Sequence, residues 1–533
     1  MGTQKRSLAA ILVGLGLVAA ACGGSDDGGT DGTGTETEGS AADGPTTSVS
    51  IDIGSTITTQ ADNAQPTSME EWEALWAEER AAIVAEVESE GYGLSADGKT
   101  LTGAGGLEVD LSNCPGNWSN TEGLTDTEIK MGQTGAASGT LADSINYYRA
   151  INALFDHYND AGAFKDSEGK TRKVVYLNKD DGYDPARTIP LVDELIDSEK
   201  VFAVQTLGTP NTMKVYDKLN ERCVPNPYAI TSHPAWNDPV KHPWTTGLNL
   251  TYSTEAVLWG AFIKARLDTE FGGKVTVAAL VMNNDFGKIY DAAFKQYLKT
   301  NDLEGKVEYI TETIEPQAAT ITNEMTTLAS KDPDIFIQML AGTPCQQAVI
   351  EAAQNGLQSS AKYLFVGQPC GNNATMGKDK VGGDGMASEG WWLVGGGARD
   401  MTDATQAELP FVQFMRGLLE AKGIDPASSG NLNYGTFFGF PLIQAFILAG
   451  EFPGGLTRTN FILAQWMMDI THPFVIEGND LVTKGVEDAY PIEGGIYQQY
   501  SVEKQAFVKQ SDVISLAGES PPCAWNQSTS TCE

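Results

Sequence analysis

An α/β fold of two doubly wound lobes is what this sequence predicts, and three observations carry the prediction. From Thr127 onward, short β-branched runs alternate with amphipathic helices, and the alternation occurs in two successive sets. A chain of 533 residues, 41% of them hydrophobic, is also long enough to build two cores of ordinary size. In the first set the strand patterns are 129–133, 174–178, 201–205 and 228–231, separated by helical patterns at 144–160, 185–197 and 212–221. In the second, strands at 275–282, 307–311, 335–340 and 363–366 enclose helices at 288–300, 321–329 and 346–355. Strands spaced by helices of this length form parallel βαβ units, here two Rossmann-like sheets. Ligands of such sheets sit beyond the carboxyl ends of the strands, where loops enter helices, so function is to be sought there.

Ahead of the lobes the chain changes character three times. Lys5 and Arg6 precede an apolar run, Leu8 to Ala21, that is short for a membrane span, which is the pattern of a signal peptide over 1–22. The stretch Val18-Ala19-Ala20-Ala21-Cys22 resembles the bacterial lipobox, with Ala19 where leucine is usual. That resemblance implies a lipoprotein with diacylglycerol on Cys22, which becomes the mature N-terminus, anchored at the outer face of the cell membrane or in the periplasm. Residues 23–66 are Gly, Ser, Thr and acids, bury too little surface to fold, and read as a disordered tether. An extension over 67–112 begins with a helix at 68–90. Ser68 caps it, Glu71 stands at the third position, and Trp72, Leu75, Trp76, Ile83 and Val87 recur at helical spacing. Its polar face is acidic, which favours docking on protein over a membrane surface. No second apolar run reads as reaching membrane-spanning length, so anchoring rests on the lipid.

Seventy acidic residues against 35 basic give a formal charge of -35, which repels nucleic acid and bare anionic membranes. With Cys22 set aside, the six remaining cysteines are an even set in an oxidising compartment. Their pairing is open. Locality favours Cys523 with Cys532 and Cys345 with Cys370, which leaves Cys114 with Cys223. No cysteines fall in CxxC spacing, and His157, His233, His242 and His472 show no ligand spacing, so no metal or cofactor is expected.

Gly93-Leu94-Ser95-Ala96-Asp97-Gly98-Lys99-Thr100 fits the phosphate-loop pattern letter for letter. It lacks the preceding buried strand and the following helix that such a loop needs, while Asp97-Gly98 is a tight-turn signal. It reads as a β-turn.

The loops of the first set carry a recognisable series: Gly123-Leu124-Thr125-Asp126-Thr127-Glu128-Ile129-Lys130-Met131-Gly132, Ala137-Ser138-Gly139, and Asn159-Asp160-Ala161-Gly162 closing a long helix. Asp180-Asp181-Gly182-Tyr183-Asp184-Pro185, Leu207-Gly208-Thr209-Pro210-Asn211-Thr212, Ala229-Ile230-Thr231-Ser232 and Asn284-Asp285-Phe286-Gly287 follow in order. From about residue 120 to the end, the chain resembles the type I periplasmic solute-binding proteins of ABC importers, in the branched-chain amino-acid-binding-like family. The resemblance implies two lobes joined by a three-segment hinge and closing on a small solute. Crossings are expected near Gly247, at Val394 to Gly397 and at Pro473 to Gly485. Lobe 1 is then 113–247 with 397–470, and lobe 2 is 248–396 with 471–533.

Carried over position by position, the resemblance implies Thr209 as a hydroxyl on the ligand carboxylate, supported by Thr212, Ser138, Ser232 and His233. Across the cleft it implies Phe286, Thr343, Gln368 and Phe438. Thr209 can equally serve as a helix cap, and the aromatics as core. At Gly367-Gln368-Pro369-Cys370 the sequence departs from the family, whose amino-acid binders place an acid there for the ammonium group. A buried ammonium without a carboxylate is costly, so either Asp285 or another acid substitutes, or the ligand is not a standard α-amino acid. The segments His233-Pro234-Ala235-Trp236 and His242-Pro243-Trp244 read as a rigid loop at the cleft mouth. Trp391 and Trp392 read as interlobe packing.

The function expected is capture of a small polar solute, an amino acid or related amide or carboxylate, for delivery to an ABC importer permease. A ligand-sensing protein signalling to a membrane partner shares the fold and is the alternative. An extracellular hydrolase is disfavoured. There is no GxSxG or HExxH, and Asp180-Asp181, side by side in a strand-end loop, reads as surface charge.

Overall fold

The computed structural model describes residues 65–516, 522–527 and 531–532. The segments read from sequence as a signal peptide, a lipidated Cys22 and a tether up to residue 64 lie outside them.

The extension is built into the molecule. Ser68 Oγ accepts the Glu71 N–H at 3.2 Å to start the helix Met69–Glu90, and Gly91, at φ 69°, ends it by donating its N–H to Val87. Trp76 lies 4.7 Å from the Phe440 ring, and its indole N–H donates to the Thr471 carbonyl at 3.0 Å. Arg80 reaches Gln444 Oε1 at 2.6 Å and Glu451 at 3.3 Å. The apolar stripe predicted from sequence is therefore the face that docks on protein. Strands β1 (Gly93–Leu94), β2 (Thr100–Thr102) and β3 (Glu108–Asp110) follow as a small antiparallel sheet. The phosphate-loop look-alike is its first hairpin, where Ser95 Oγ accepts the N–H groups of Lys99 and Thr100.

In the first lobe, β4 (Glu128–Gly135), β5 (Lys173–Asp180) and β6 (Ala203–Thr206) run parallel in the order β5-β4-β6. The helix predicted at 212–221 is two short helices, Thr209–Met213 and Tyr216–Glu221. The strand expected at 228–231 does not form. Tyr228 takes φ 46°, outside the strand region, and a single bridge from Leu207 to Ile230 is the tie to the sheet there.

The second lobe holds a seven-stranded sheet. Its parallel part is β7 (Val275–Met282), β8 (Val307–Ile314), β9 (Ile335–Met339), β10 (Tyr363–Val366) and β11 (Trp392–Gly395). The late strand β12 (Ile496–Ser501) adds antiparallel to β11, and β13 (Ala506–Lys509) antiparallel to β12. Trp391 and Trp392 contact Phe336 and Phe262 in this lobe's own core, so they do not pack between lobes.

The cores mark the passages between lobes. Leu248 belongs to the first core and Leu250 to the second; Val394 belongs to the second and Met401 to the first. The third passage falls later than Pro473 to Gly485. Phe474, Leu481, Tyr490 and Ile492 all join the first core, and the second resumes at Tyr497. The C-terminal tail then returns to the first lobe, where the Cys523 N–H donates to the Asn237 carbonyl at 3.0 Å.

Among the described residues one helix, Asn431–Glu451, is long and apolar enough to cross a membrane, which the sequence reading did not anticipate. Its apolar window is 94% buried inside the protein, against the helix Ile145–Ala161, so here it serves as a core helix. The two approach closely at Gly435, where a β-carbon would lie 2.7 Å from the Tyr147 carbonyl. Disulfides join Cys114 to Cys223, Cys345 to Cys370 and Cys523 to Cys532, the pairing that locality favoured.

Because Trp76 fills a first-core site, Trp76→Ala should destabilise the protein by about 3–5 kcal/mol. Denaturant unfolding measures this, and a loss below about 1 kcal/mol would show that the helix is not part of the core.

Candidate functional site

Loops leaving the carboxyl ends of β4, β6, β9 and β10 meet across the lobes around a cavity of about 220 Å³. A smaller space of about 30 Å³ adjoins it, sharing Tyr147, Thr231, Tyr252 and Pro369.

The first-lobe wall is hydroxyl-rich. Thr209 Oγ1 and Thr231 Oγ1 are 2.6 Å apart and both are buried. Tyr183 is presented by a turn in which it takes φ 61°. That turn is tied down by Asp181, whose carboxylate accepts the Tyr183 N–H and the groups Thr188 Oγ1 and Asn211 Nδ2, each at 2.9 Å. Burial raises the pKa of Asp181. Its neighbour Asp180 goes the other way: burial pushes it up, but the Ala137 N–H, the Ser138 hydroxyl and the Gly182 N–H hold it below the usual carboxylate range. Both acids are loop clamps.

The second-lobe wall combines Phe286, edge-on to Tyr252 at 5.0 Å, with Thr343 and the Gln368-Pro369 turn. The Cys345–Cys370 disulfide joins the two segments that carry Thr343 and Gln368. Behind Gln368 lies Glu255, fully buried. Its carboxylate takes the Tyr290 hydroxyl at 2.5 Å, the Gln368 N–H at 3.0 Å and Gln368 Nε2 at 3.1 Å. Burial lifts its pKa to about 8 against these hydrogen bonds.

Polar contacts at the lips and the aromatic wall bridge the lobes. Thr140 Oγ1 donates to the Pro316 carbonyl at 3.1 Å, Thr343 Oγ1 donates to the Thr140 carbonyl at 3.2 Å, and the Tyr434 hydroxyl donates to the Gln368 carbonyl at 2.7 Å. Gly342, at φ 69°, lets the lips meet; a β-carbon there would lie 3.0 Å from Leu141 Cγ.

Of the residues singled out from sequence, Thr209, Phe286 and Thr343 line the cavity, and Ser232, Gln368 and Phe438 line the smaller space. Ser138, Thr212 and His233 do not. Ser138 is engaged with Asp180, and Thr212 is bonded to Thr206 Oγ1 at 2.8 Å beneath the surface. His233 is enclosed, its Nδ1 accepting the Ala235 N–H at 3.1 Å, and burial drops its pKa to about 3, which keeps it neutral. Trp236 is buried with it, so neither is at the cleft mouth. His242 is a surface clamp instead. Burial lowers its pKa, but Asp217 at 2.8 Å and Asp238 at 3.3 Å outweigh that and raise it to about 9. Asp285, the candidate substitute acid, does not line either space.

Sequence reasoning missed Tyr147, Tyr183, Tyr252 and Thr231. Tyr183 and Thr231 lay within quoted loop motifs. Tyr147 and Tyr252 sit near helix starts where the aromatic pattern looks like any amphipathic helix.

A two-lobed α/β protein with a cavity between its sheets has the architecture of a solute-binding protein. The periplasmic binding protein family model matches residues 128–411, and the chain belongs to that family. It is therefore of a substrate-binding kind rather than an enzyme family. Solved structures agree in fold. A fatty acid ABC transporter substrate-binding protein from Thermomonospora curvata is 15% identical with a TM-score of 0.60, covering 76% of this chain and 98% of its own. A branched chain amino acid ABC transporter from Thermus thermophilus with bound valine is 15% identical at 0.62, covering 74% and 97%. A solute binding protein from Rhodopseudomonas palustris HaA2 in complex with p-hydroxybenzoic acid is 20% identical at 0.58, covering 73% and 98%. No curated protein matches the sequence.

Two predictions test this geometry. An unfolded glutamate releases its proton near 4.5 whereas Glu255 holds it to about 8, so this group's contribution to stability falls as pH rises through that window and is flat above it. Relative to Glu255→Gln, the native protein should lose about 1.4 kcal/mol per pH unit between those values; parallel pH profiles of the two would refute the raised pKa. Gly342→Ala should hold the lips apart and increase the radius of gyration by small-angle scattering, and an unchanged scattering curve would show that closure does not depend on that contact.

Proposed function

We propose that this chain is an extracytoplasmic, lipid-anchored binding protein that captures a small polar solute, an amino acid or a related amide or carboxylate, and delivers it to an ABC importer. The observation that carries the reading is the interlobe cavity, walled by hydroxyls and aromatics and bridged at its lips by Thr140 and Thr343. Its volume of about 220 Å³ lies below the ~300–1,000 Å³ of drug-sized pockets, which favours a small solute. Closure through individually weak hydrogen bonds suits a clamp that must reopen, and a closed shape is one a permease can distinguish from an open one. The lipobox resemblance at Cys22 supports membrane anchoring. The neighbours' ligands, valine and p-hydroxybenzoic acid, are of the size this cavity accepts.

Thermal-shift titration of the mature chain, with its disulfides formed, against amino acids, amides, short carboxylates, urea and polyamines tests the reading. A bound solute raises the melting temperature by mass action. The protein must retain the Met69–Glu90 helix, because Trp72 and Trp76 belong to the first core. A flat response across the panel would turn the reading toward a sensory or partner-binding role. For any solute that binds, Thr209→Val should weaken affinity about tenfold, the value of one buried hydrogen bond, and unchanged affinity would remove Thr209 from the site. In the producing cell, Cys22→Ser should move the protein from the membrane to the soluble fraction. Retention in the membrane would sink the lipid anchor.

A further inference from the structure

The polar groups that reach the cavity are unequal in kind. Among the described residues lining it and the adjoining space there is no Lys, Arg or His, and one carboxylate, Asp143. Asp143 stands at the exposed lip with both oxygens engaged. Asn146 Nδ2 donates to Oδ1 at 2.8 Å, while Asn431 Nδ2 at 2.8 Å and the Ser429 hydroxyl donate to Oδ2.

Glu255, the acid behind the turn where the family's amino-acid binders place theirs, is walled off. Gln368 stands between it and the cavity, and the Gln368 amide is itself consumed. Nε2 donates to Glu255 and to the Leu250 carbonyl at 3.3 Å, and Oε1 accepts from Asn249 Nδ2 at 2.6 Å. The Gln368 carbonyl is taken by Tyr434. With its pKa at about 8, Glu255 is also largely uncharged at neutral pH. Asn372 Oδ1 is a buried acceptor with no hydrogen-bond partner among the described residues, but it is a neutral amide oxygen packed against Gly430 and supplies no carboxylate charge.

An ammonium group brings three donors and a full charge, and its burial is costly without a carboxylate partner. Donors, by contrast, are plentiful. Thr209 and Thr231, bonded to each other, line the cavity together with Tyr147, Tyr183 and Tyr252, while the Tyr434 hydroxyl is spent on the Gln368 carbonyl. Hydroxyl donors converging on one space suit an acceptor head group.

Resting on the solute-capture reading, we infer that this cleft selects a small organic carboxylate that carries no ammonium group. The departure at Gln368-Pro369 then changes the substrate class, with no acid substituting elsewhere.

Matched pairs that differ only in the ammonium test this by isothermal titration of the mature chain: L-leucine against 4-methylpentanoate, L-phenylalanine against 3-phenylpropanoate, and L-tyrosine against 3-(4-hydroxyphenyl)propanoate. In at least one pair the acid without the ammonium should bind at least about tenfold more tightly. Glu255→Gln should leave that preference within about threefold, since its charge is not used. Equal or tighter binding of the amino acids would overturn the inference while leaving solute capture intact, as would loss of amino-acid affinity on Glu255→Gln, which would identify Glu255 as the ammonium partner. Silence of every pair in a folded sample would overturn the inference together with the reading beneath it.

Discussion

The crossing of the helix Asn431–Glu451 over Ile145–Ala161 is the contact on which the cleft depends. Gly435 brings the two backbones within reach of one another, and with no side chain between them the helices' first turns lie side by side. That proximity stacks Tyr147 on Tyr434 with ring centres 6.3 Å apart and lets Asn431 hold Asp143. Tyr434 in turn reaches over to the Gln368 carbonyl. One close approach in the first core therefore sets the aromatic wall, the lip and one of the bridges to the second lobe.

The energetics divide along the same line. Each lobe is held by a large apolar core, so it moves as a unit. The bridges named above are hydrogen bonds, each worth a net ~0.5–1.5 kcal/mol, and those at Thr140 and Thr343 lie on the exposed side of the cavity. A solute that touches both walls shifts the balance between open and closed only by its extra affinity for the closed form. The Cys345–Cys370 bond matters here because it makes two parts of the second wall, Thr343 and Gln368, move together.

Much of this was legible in the sequence. The strands at 275–282 and 363–366 were placed to the residue because a buried parallel strand is a continuous β-branched and aromatic run bounded by turns. The extension was legible because Trp72, Trp76, Ile83 and Val87 share one helical face. What failed were features that depend on distant partners. Tyr228 has β-propensity but a left-handed backbone imposed by its loop. The segment 471–492 has no strong periodicity, and its place in the first core rests on Phe474 and Leu481 packing from afar. His233 looked like a cleft residue because its neighbours Thr231 and Ser232 are, yet Trp525 from the C-terminal tail covers it at 4.4 Å. No local pattern encodes a cover that arrives about three hundred residues later in the chain.

The same distinction explains why Gln368 could be flagged from sequence but not interpreted. A missing acid at that position is visible in one tetrapeptide, whereas whether another acid replaces it is a question about the whole neighbourhood. Glu255 is the natural substitute by distance, being hydrogen-bonded to Gln368 itself. It cannot act as one from where it is. Its two oxygens already hold Tyr290 and both Gln368 donors, and burial favours its neutral form. An acid that faces the cavity stabilises a cation, but an acid that braces the cavity floor from behind stabilises the floor. Here the carboxyl holds the Gln368 amide in place, so the residue that looks like a vacant ammonium site is a structural part of the wall.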